Sequence, residues 1–536
     1  MQLSPASVMP TLPIVVQVGF AGSRLLYGTR RIEPAQAAAF DAALLEAMVE
    51  RLRELPQVLQ LSPQHLLCGV SQVAIGADTL FSQALQRLGL PQRVLLPQPA
   101  AAFLAAGEPG EPDFTAAEQE VARGLLAGAH VVEVRVASDA DARNEQFEDT
   151  NAEILRESDV LVCLLRDGAI GRPGGTQDLM RRAARAGKPV LLLEVSMRDG
   201  QPLLSSWSPQ AADVPFVPPG MPAELRGVEL SPPAAAALPA AGDYIDAARR
   251  FASAKTRRHS GLFKRAAIAI IMLHIAATLL AALATKVEPA AGIALLLAAE
   301  LVLLGCGLVI HHRLHRGAAA RSWAVTRLLA EALRSMKSVS QTAVSLDYAR
   351  TLAFPASFQP VLRTAAVLHG LSTRRVAAGE WTTQCARYLD ERLRGPAGQL
   401  RYFDQASRTA ARRHRLAHSG FWLFSATAFA ATAAKLASLA GWMSPPLAPL
   451  VANWGGLLAV TLPVAAVGFL SWSAAADLEA RAATYAEMHA FLTQQTERIA
   501  SAASPRDFAR AVRDTELGIL GENLSWFSRR LFKGVA

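Results

Sequence analysis

The strongest pattern along the chain is a pair of long apolar runs, Ala266 to Thr285 and Ala290 to Ile310, separated by the short turn at Lys286–Pro289. Each run has roughly the 20 residues that a helix rising 1.5 Å per residue needs to cross hydrocarbon. A connection this short predicts an antiparallel hairpin. The pattern occurs again from Phe421 to about Leu439 and from Val451 to Trp472. Each hairpin follows a His-Ser-Gly landmark, His259 and His418, 159 residues apart. A duplicated two-helix unit is the direct reading. Helix-forming stretches follow both hairpins, Ser322–Ser338 and Leu478–Ile499, with more helix over Pro355–Arg401 and an amphipathic end from Arg510 to Phe532.

The N-terminal third has a different period. Ile14–Val18, His65–Val70, Gln92–Leu96, Val131–Val136, Ser158–Leu165 and Pro189–Leu193 are short, continuous apolar runs, with helical stretches at Pro34–Leu55, Ile75–Leu88 and Asp178–Ala186. Doubly buried strands alternating with helices predict an α/β fold with a Rossmann-like, mainly parallel sheet. An all-α membrane region with four transmembrane helices in two hairpins follows it. The domain boundaries read as 1–205 for the α/β domain and 206–241 for a Pro/Ala-rich linker. The first hairpin with its cytoplasmic helices takes 242–400 (spans about 266–285 and 290–310), and the second 401–536 (spans about 421–440 and 451–472). Trp207 and Phe216 are the linker positions expected to pack on the α/β domain.

Charge orients this arrangement. The net charge is +9, and much of the excess flanks the apolar runs, as in Lys255–Arg265 and His311–Arg316. The positive-inside bias puts the turns outside and both termini in the cytoplasm, at the inner membrane. The same charge suggests contact with anionic lipid headgroups rather than nucleic acid, since no basic cluster interleaves with aromatics. The N-terminus lacks the charged-then-apolar pattern of a secretory leader. The four cysteines, Cys68, Cys163, Cys306 and Cys385, are far apart and make neither a metal pattern nor a disulfide framework.

Candidate chemistry gathers after the strands. Gly22, Ser23 and Arg24 follow the first, Gly76 and Asp78 lie ahead of a helix, and Gly174, Gly175 and Thr176 precede another. Glycines let a backbone approach a phosphate, helix N-terminal amides and Thr176 receive its charge, and an unpaired Arg24 grips it bidentately. Asp78 is suited to a ribose hydroxyl or to capping its helix. No catalytic residue and no metal site is assigned. Glu300, in the middle of the second apolar run, is the membrane or gating candidate, with a neutral hydrogen-bonded glutamic acid as the alternative. Lys435 reads as a snorkelling lysine, and His259 and His418 as headgroup-boundary or helix-capping residues.

Phe20–Arg24, Gly76–Asp78, Ser158–Val162 and Gly174–Thr176 with Gly187–Pro189 resemble, in order, the motifs of the SLOG superfamily. That group comprises Rossmann-like domains related to DprA and the LOG proteins. The resemblance covers residues 14 to 195 and implies a nucleotide-binding role for Gly22, Ser23, Arg24, Gly76, Asp78, Gly174, Gly175 and Thr176. The LOG enzymes carry Pro-Gly-Gly-x-Gly-Thr-x-x-Glu. Here Pro173–Leu179 lacks the inserted pair, and Leu179 stands where the glutamate would fall, which favours binding over hydrolysis. Residues 242 to 536 are similar to SLATT membrane modules, which accompany nucleotide second-messenger systems in bacteria. Together the two resemblances imply a homo-oligomeric sensor of a nucleotide-derived second messenger that perforates the bilayer, in antiviral defence signalling. A membrane-anchored nucleotide or NAD hydrolase, with Glu153, Glu157 or Asp159 as acids, is the alternative, and a transporter or scaffold the third.

Overall fold

The computed structural model describes residues 13–27, 34–108, 111–168, 175–209, 216–220, 241–288, 290–316, 319–340, 354–373, 381–444 and 446–532, with single residues 342, 344, 346 and 352. The chain divides into two compact units. One holds residues 1–250 and 332–380, the other 251–331 and 381–536.

In the first unit the elements are β1 (Ile14–Gly22), α1 (Pro34–Val58), β2 (His65–Ser71), α2 (Ala77–Leu88), β3 (Gln92–Leu96), α3 (Ala100–Ala105), a small hairpin β4 (Gly107–Glu108) and β5 (Glu111–Pro112), and α4 (Ala116–Ala127). They continue with β6 (Val131–Val136), α5 (Arg143–Glu157), β7 (Val160–Arg166), α6 (Thr176–Arg185), β8 (Val190–Arg198), β9 (Gln201–Leu204) and β10 (Ser208–Pro209). The strand order is β10-β8-β7-β1-β2-β3-β6, with β9 also on β8. Strands β8 to β6 are parallel, and only β9 and β10 run antiparallel, as the continuous apolar runs predict. Leu44, Met48, Leu52, Leu80, Phe81 and Leu85 of α1 and α2 bury one face of the sheet. Leu179 and Ala183 of α6 cover Leu161 and Cys163 on another cluster. The chain leaves β1 toward β2 on one side and returns beside it as β7, so the order reverses between β1 and β7. Open α/β sheets bind ligands beyond the strand C-termini at such a reversal.

This unit is not continuous in sequence. A helix from the segment after the first hairpin, Gln359–Thr373, packs on the sheet near the N-terminal ends of the strands. Val367 joins Val15 and Cys68, the amide of Val15 donates to Thr364 Oγ1 at 3.0 Å, and Arg363 pairs with Asp159 at 2.7 Å. Its apolar stripe was legible, but its partner across more than 300 residues of chain was not. Trp207 and Phe216 do pack on the α/β core, and the Trp207 indole donates to the Arg51 carbonyl at 3.2 Å. The Pro232–Pro239 stretch lies outside the described residues.

The second unit takes in most of the long helices: Ala241–Ala284, Ala290–Arg316 and Ala319–Val339, then Trp381–Tyr388, Gln399–Leu439, Ala448–Ala476, Leu478–Ala500 and Pro505–Phe532. A 44-, 27- and 21-residue succession is thus followed by one of 41, 29 and 23. Asp477, in the left-handed conformation at φ 54°, breaks the last two apart, just ahead of the stretch that the sequence starts at Leu478. Among the described residues, four helices are long and apolar enough to cross a membrane, and no more than 11% of any apolar window is buried in the protein. Leu301, Phe429 and Trp442 are 72%, 78% and 83% exposed. In water each such side chain would forgo about 1.5–3 kcal/mol of burial, so lipid is the solvent these helices suit. Glycines set their approach: a Cβ at Gly420 would lie 2.8 Å from the Phe469 ring, and one at Gly468 2.8 Å from Ile275 Cδ1. Lys435 lies along Gly455 and Gly456. Glu300 is half-buried and has no hydrogen bond or ion pair with any described residue.

Candidate functional site

The backbone at the reversal point is fixed before any side chain is considered. The Ser23 amide donates to the Leu164 carbonyl at 2.9 Å, and the Ala77 amide donates to the Ser23 carbonyl at 3.1 Å. These bonds tie the end of β1 to β7 and to the start of α2. Gly22 permits that closeness, because a Cβ there would strike Ala77 Cβ and come within 2.9 Å of the Leu164 oxygen. Gly76 sits at φ +78°, where L side chains are strained, with Arg24 and Ser23 backbone atoms 2.8 Å from any added Cβ. Gly76→Ala should therefore destabilise the first unit by roughly 3 kcal/mol, from left-handed strain plus backbone overlap. Hydrogen exchange of the β1 and α2 amides reads this directly, and unchanged protection would refute the close approach.

Above this frame lies a cavity of about 120 Å³ lined by Phe20, Ala21, Gly22, Arg24, Gln72, Ala74, Asp78, Phe103, Phe114, Phe147, Asn151, Gly175 and Thr176. Five of the residues read from sequence, Gly22, Arg24, Asp78, Gly175 and Thr176, thus meet at one place. Ser23 and Gly76 stand behind it as framework. The Ser23 hydroxyl is occupied, accepting from the Arg166 amide at 3.2 Å. Gly174 lies outside the described residues.

Asp78 is the electrostatic centre of the cavity. It is 9% exposed, in the first turn of α2, and does not cap that helix. Its Oδ1 has no hydrogen-bond partner, and neither does the buried Oε1 of Gln72. Burial pushes the Asp78 carboxyl from 3.8 up to about 7, against the opposing pull of Arg24 and of the Ala74 amide. Two bare acceptors in one pocket wall call for donors from a ligand, because an unmatched buried polar atom costs about 1–3 kcal/mol.

Arg24 is not unpaired as the sequence suggested. It lies 3.1 Å from Asp113, which also holds Arg143. Asp113 comes from the segment between β3 and α4, which also supplies Phe103 and Phe114, edge to face at 5.3 Å. Thr115 and Glu118 form a capping box at the start of α4, and that Thr-x-x-Glu spacing is the signal that would have found it. Arg24, which lines the cavity, thus shares one carboxylate with Arg143.

The other acids considered lie elsewhere. Glu153 and Glu157 belong to an ion-pair network with Arg93 and Arg135, and Asp159 accepts from the Gln17 amide at 2.8 Å. These residues end α5 and precede β7, at the N-terminal ends of the strands, away from the C-terminal ends where the cavity lies. Leu179 is buried in the core, and Asp178 pairs with Arg182 at 2.9 Å. Among the described residues, no group of three or more His, Cys, Asp or Glu could hold a metal. Comparison with family models, with curated proteins and with solved structures finds no match.

Proposed function

We propose that the first unit binds a nucleotide-derived small molecule in the cavity at the β1/β7 reversal. Occupancy would change the oligomeric contacts of the membrane helices, opening a pore or disrupting the bilayer. The observation that carries the reading is the pair of bare buried acceptors, Asp78 Oδ1 and Gln72 Oε1, under the phenylalanines Phe103, Phe114 and Phe147. Ribose hydroxyls or a base amino edge supply the matching donors, and the rings offer a face for the base. A phosphate at the mouth would meet Arg24, Arg143 and the first turn of α6 at Gly175 and Thr176. The SLOG and SLATT resemblances, the inner-membrane location with cytoplasmic termini, and a gating role for Glu300 belong to this same proposal. The ligand must favour one helix arrangement over another, not merely bind.

Mass spectrometry of small molecules co-purifying with the full chain in detergent tests the ligand class. Arg24→Ala should weaken that ligand's affinity about tenfold, the loss of one partly exposed charge-assisted contact, with insertion of the helices unchanged. Equal affinity by calorimetry would remove Arg24 from the site.

A second reading, a membrane-anchored nucleotide or NAD hydrolase, is favoured by one observation: a carboxyl titrating at about 7 is poised for proton transfer at neutral pH. Release of free base from candidate nucleotides, abolished by Asp78→Asn, would establish it over the sensor.

A further inference from the structure

The second unit carries a concentration of positive charge that the nucleotide reading does not use. Lys264 lies over the Trp323 ring at 6.0 Å, Trp323 meets Trp526 edge to face at 5.2 Å, and Arg327 stacks over Trp526 at 4.0 Å. Arg481 lies over the buried Tyr485 ring at 5.3 Å. Lys264 feels the charges of Arg481, Arg413 and Arg327 together, so four cations from four helices converge. The acids facing this group are Glu522, 4.0 Å from Arg327, and Glu331, which Arg392 already engages at 3.4 Å. Lys264, Arg413 and Arg481 have no ion-pair partner among the described residues, and Arg481 Nε is buried without a hydrogen bond.

Four cations against two acids repel one another unless an anion arrives. The floor is a sheet of buried rings (Trp323 and Trp526 are 7% and 3% exposed), while Lys264 and Arg413 stand exposed at the rim. Three of the four cations flank an apolar run: Lys264 just before Ala266, Arg413 before Phe421, and Arg481 after Trp472. Aromatic rings with cations above them, next to the apolar stretch, match the boundary between acyl chains and headgroups.

We propose that Lys264, Arg327, Arg413 and Arg481 form a site for the phosphate headgroup of an anionic phospholipid. Arg481 and Arg327, lying over the Tyr485 and Trp526 rings, offer guanidinium donors to phosphate oxygens, and Lys264 and Arg413 add positive charge at the exposed rim. The four-cation group belongs wholly to the second unit, so it stands whether or not the cavity of the first unit binds a nucleotide.

The test uses the full chain reconstituted in phosphatidylcholine nanodiscs with or without phosphatidylglycerol, and counts lipids retained on release into native mass spectrometry. Wild-type protein should keep phosphatidylglycerol about tenfold over phosphatidylcholine. Lys264→Gln with Arg481→Gln should erase that preference, Arg481→Lys alone should retain most of it, and Lys286→Gln in the distant turn should not alter it. Helical content by circular dichroism confirms that the variants fold. Equal retention of the two lipids by wild-type protein would overturn the proposal. So would a double variant that still selects phosphatidylglycerol. Displacement of the lipid by millimolar inorganic phosphate would reassign the site to a free anion.

Discussion

Asp78→Asn is expected to stabilise the ligand-free first unit above neutrality while abolishing ligand binding. The folded-state carboxyl titrates at about 7 and its ordinary value is 3.8, with burial as the leading cause. Between those values the folded state keeps a proton that the unfolded state releases. Stability is therefore greatest below about pH 4, falls as pH rises through the window to about 7, and is flat beyond it. About three pKa units correspond to a penalty on the order of 4 kcal/mol at neutral pH and above. Asparagine has the same shape and no charge to bury, so the variant lacks this slope. Hydrogen exchange of the β1 and α2 amides, followed from pH 4 to 8, should show the wild type losing protection relative to the variant. Parallel profiles would mean that Asp78 is solvated or paired in solution and would remove the central argument for the cavity. Gain of stability with loss of binding is the signature of a residue retained for function at a cost to the fold.

The cavity was only half legible in the sequence, and the reason is geometric. Gly22, Gly76 and Asp78 are found because a strand, a glycine and a helix start follow one another within a few residues, and local chemistry announces local structure. Phe103 and Phe114, like Asp113, come from a crossover whose apolar positions have no single period over their short length, so nothing local reveals that the two rings line the pocket. Asp113 in particular reverses an expectation about Arg24, since a pairing of residues 24 and 113 depends on the β3–α4 crossover folding back over β1. The same limit applies to Gln359–Thr373, whose helical pattern is plain and whose place on the sheet is not. By contrast the four helices long and apolar enough to cross a membrane needed no tertiary information, because in lipid a chain must satisfy its own backbone helix by helix. Leu179 shows the gain from reading a departure closely. Its burial against Leu161 and Cys163 makes that position part of the core, as a leucine at a helix face toward the sheet should be.

Glu516→Gln should cost the second unit about 3–5 kcal/mol, a loss of roughly 10 °C in its unfolding midpoint. Arg392 is 3% exposed at its side chain and Glu516 0%. The guanidinium donates twice, Nε to Oε1 at 2.8 Å and a terminal nitrogen to Oε2 at 2.7 Å, while the Tyr388 hydroxyl donates to Oε1 at 2.7 Å. Glutamine offers one oxygen in place of two and no counter-charge, leaving a buried cation facing Glu331 alone at the longer 3.4 Å. Replacing the pair together is a different matter. Arg392→Met with Glu516→Leu removes both desolvation costs, and by the behaviour of buried ion pairs it should be far less damaging than the single change. The cluster joins Glu331, the segment Tyr388–Arg392 and Glu516 of the C-terminal helix, three stretches far apart in sequence. A rearrangement of this unit on ligand binding must either keep those contacts as a rigid body or break them at a cost of several kcal/mol. The double variant decides which. If it retains ligand-dependent ion flux in vesicles, the clamp moves as one piece and serves folding alone. If flux becomes ligand-independent while the helices stay inserted, the ion pair is what holds the unit in its resting arrangement.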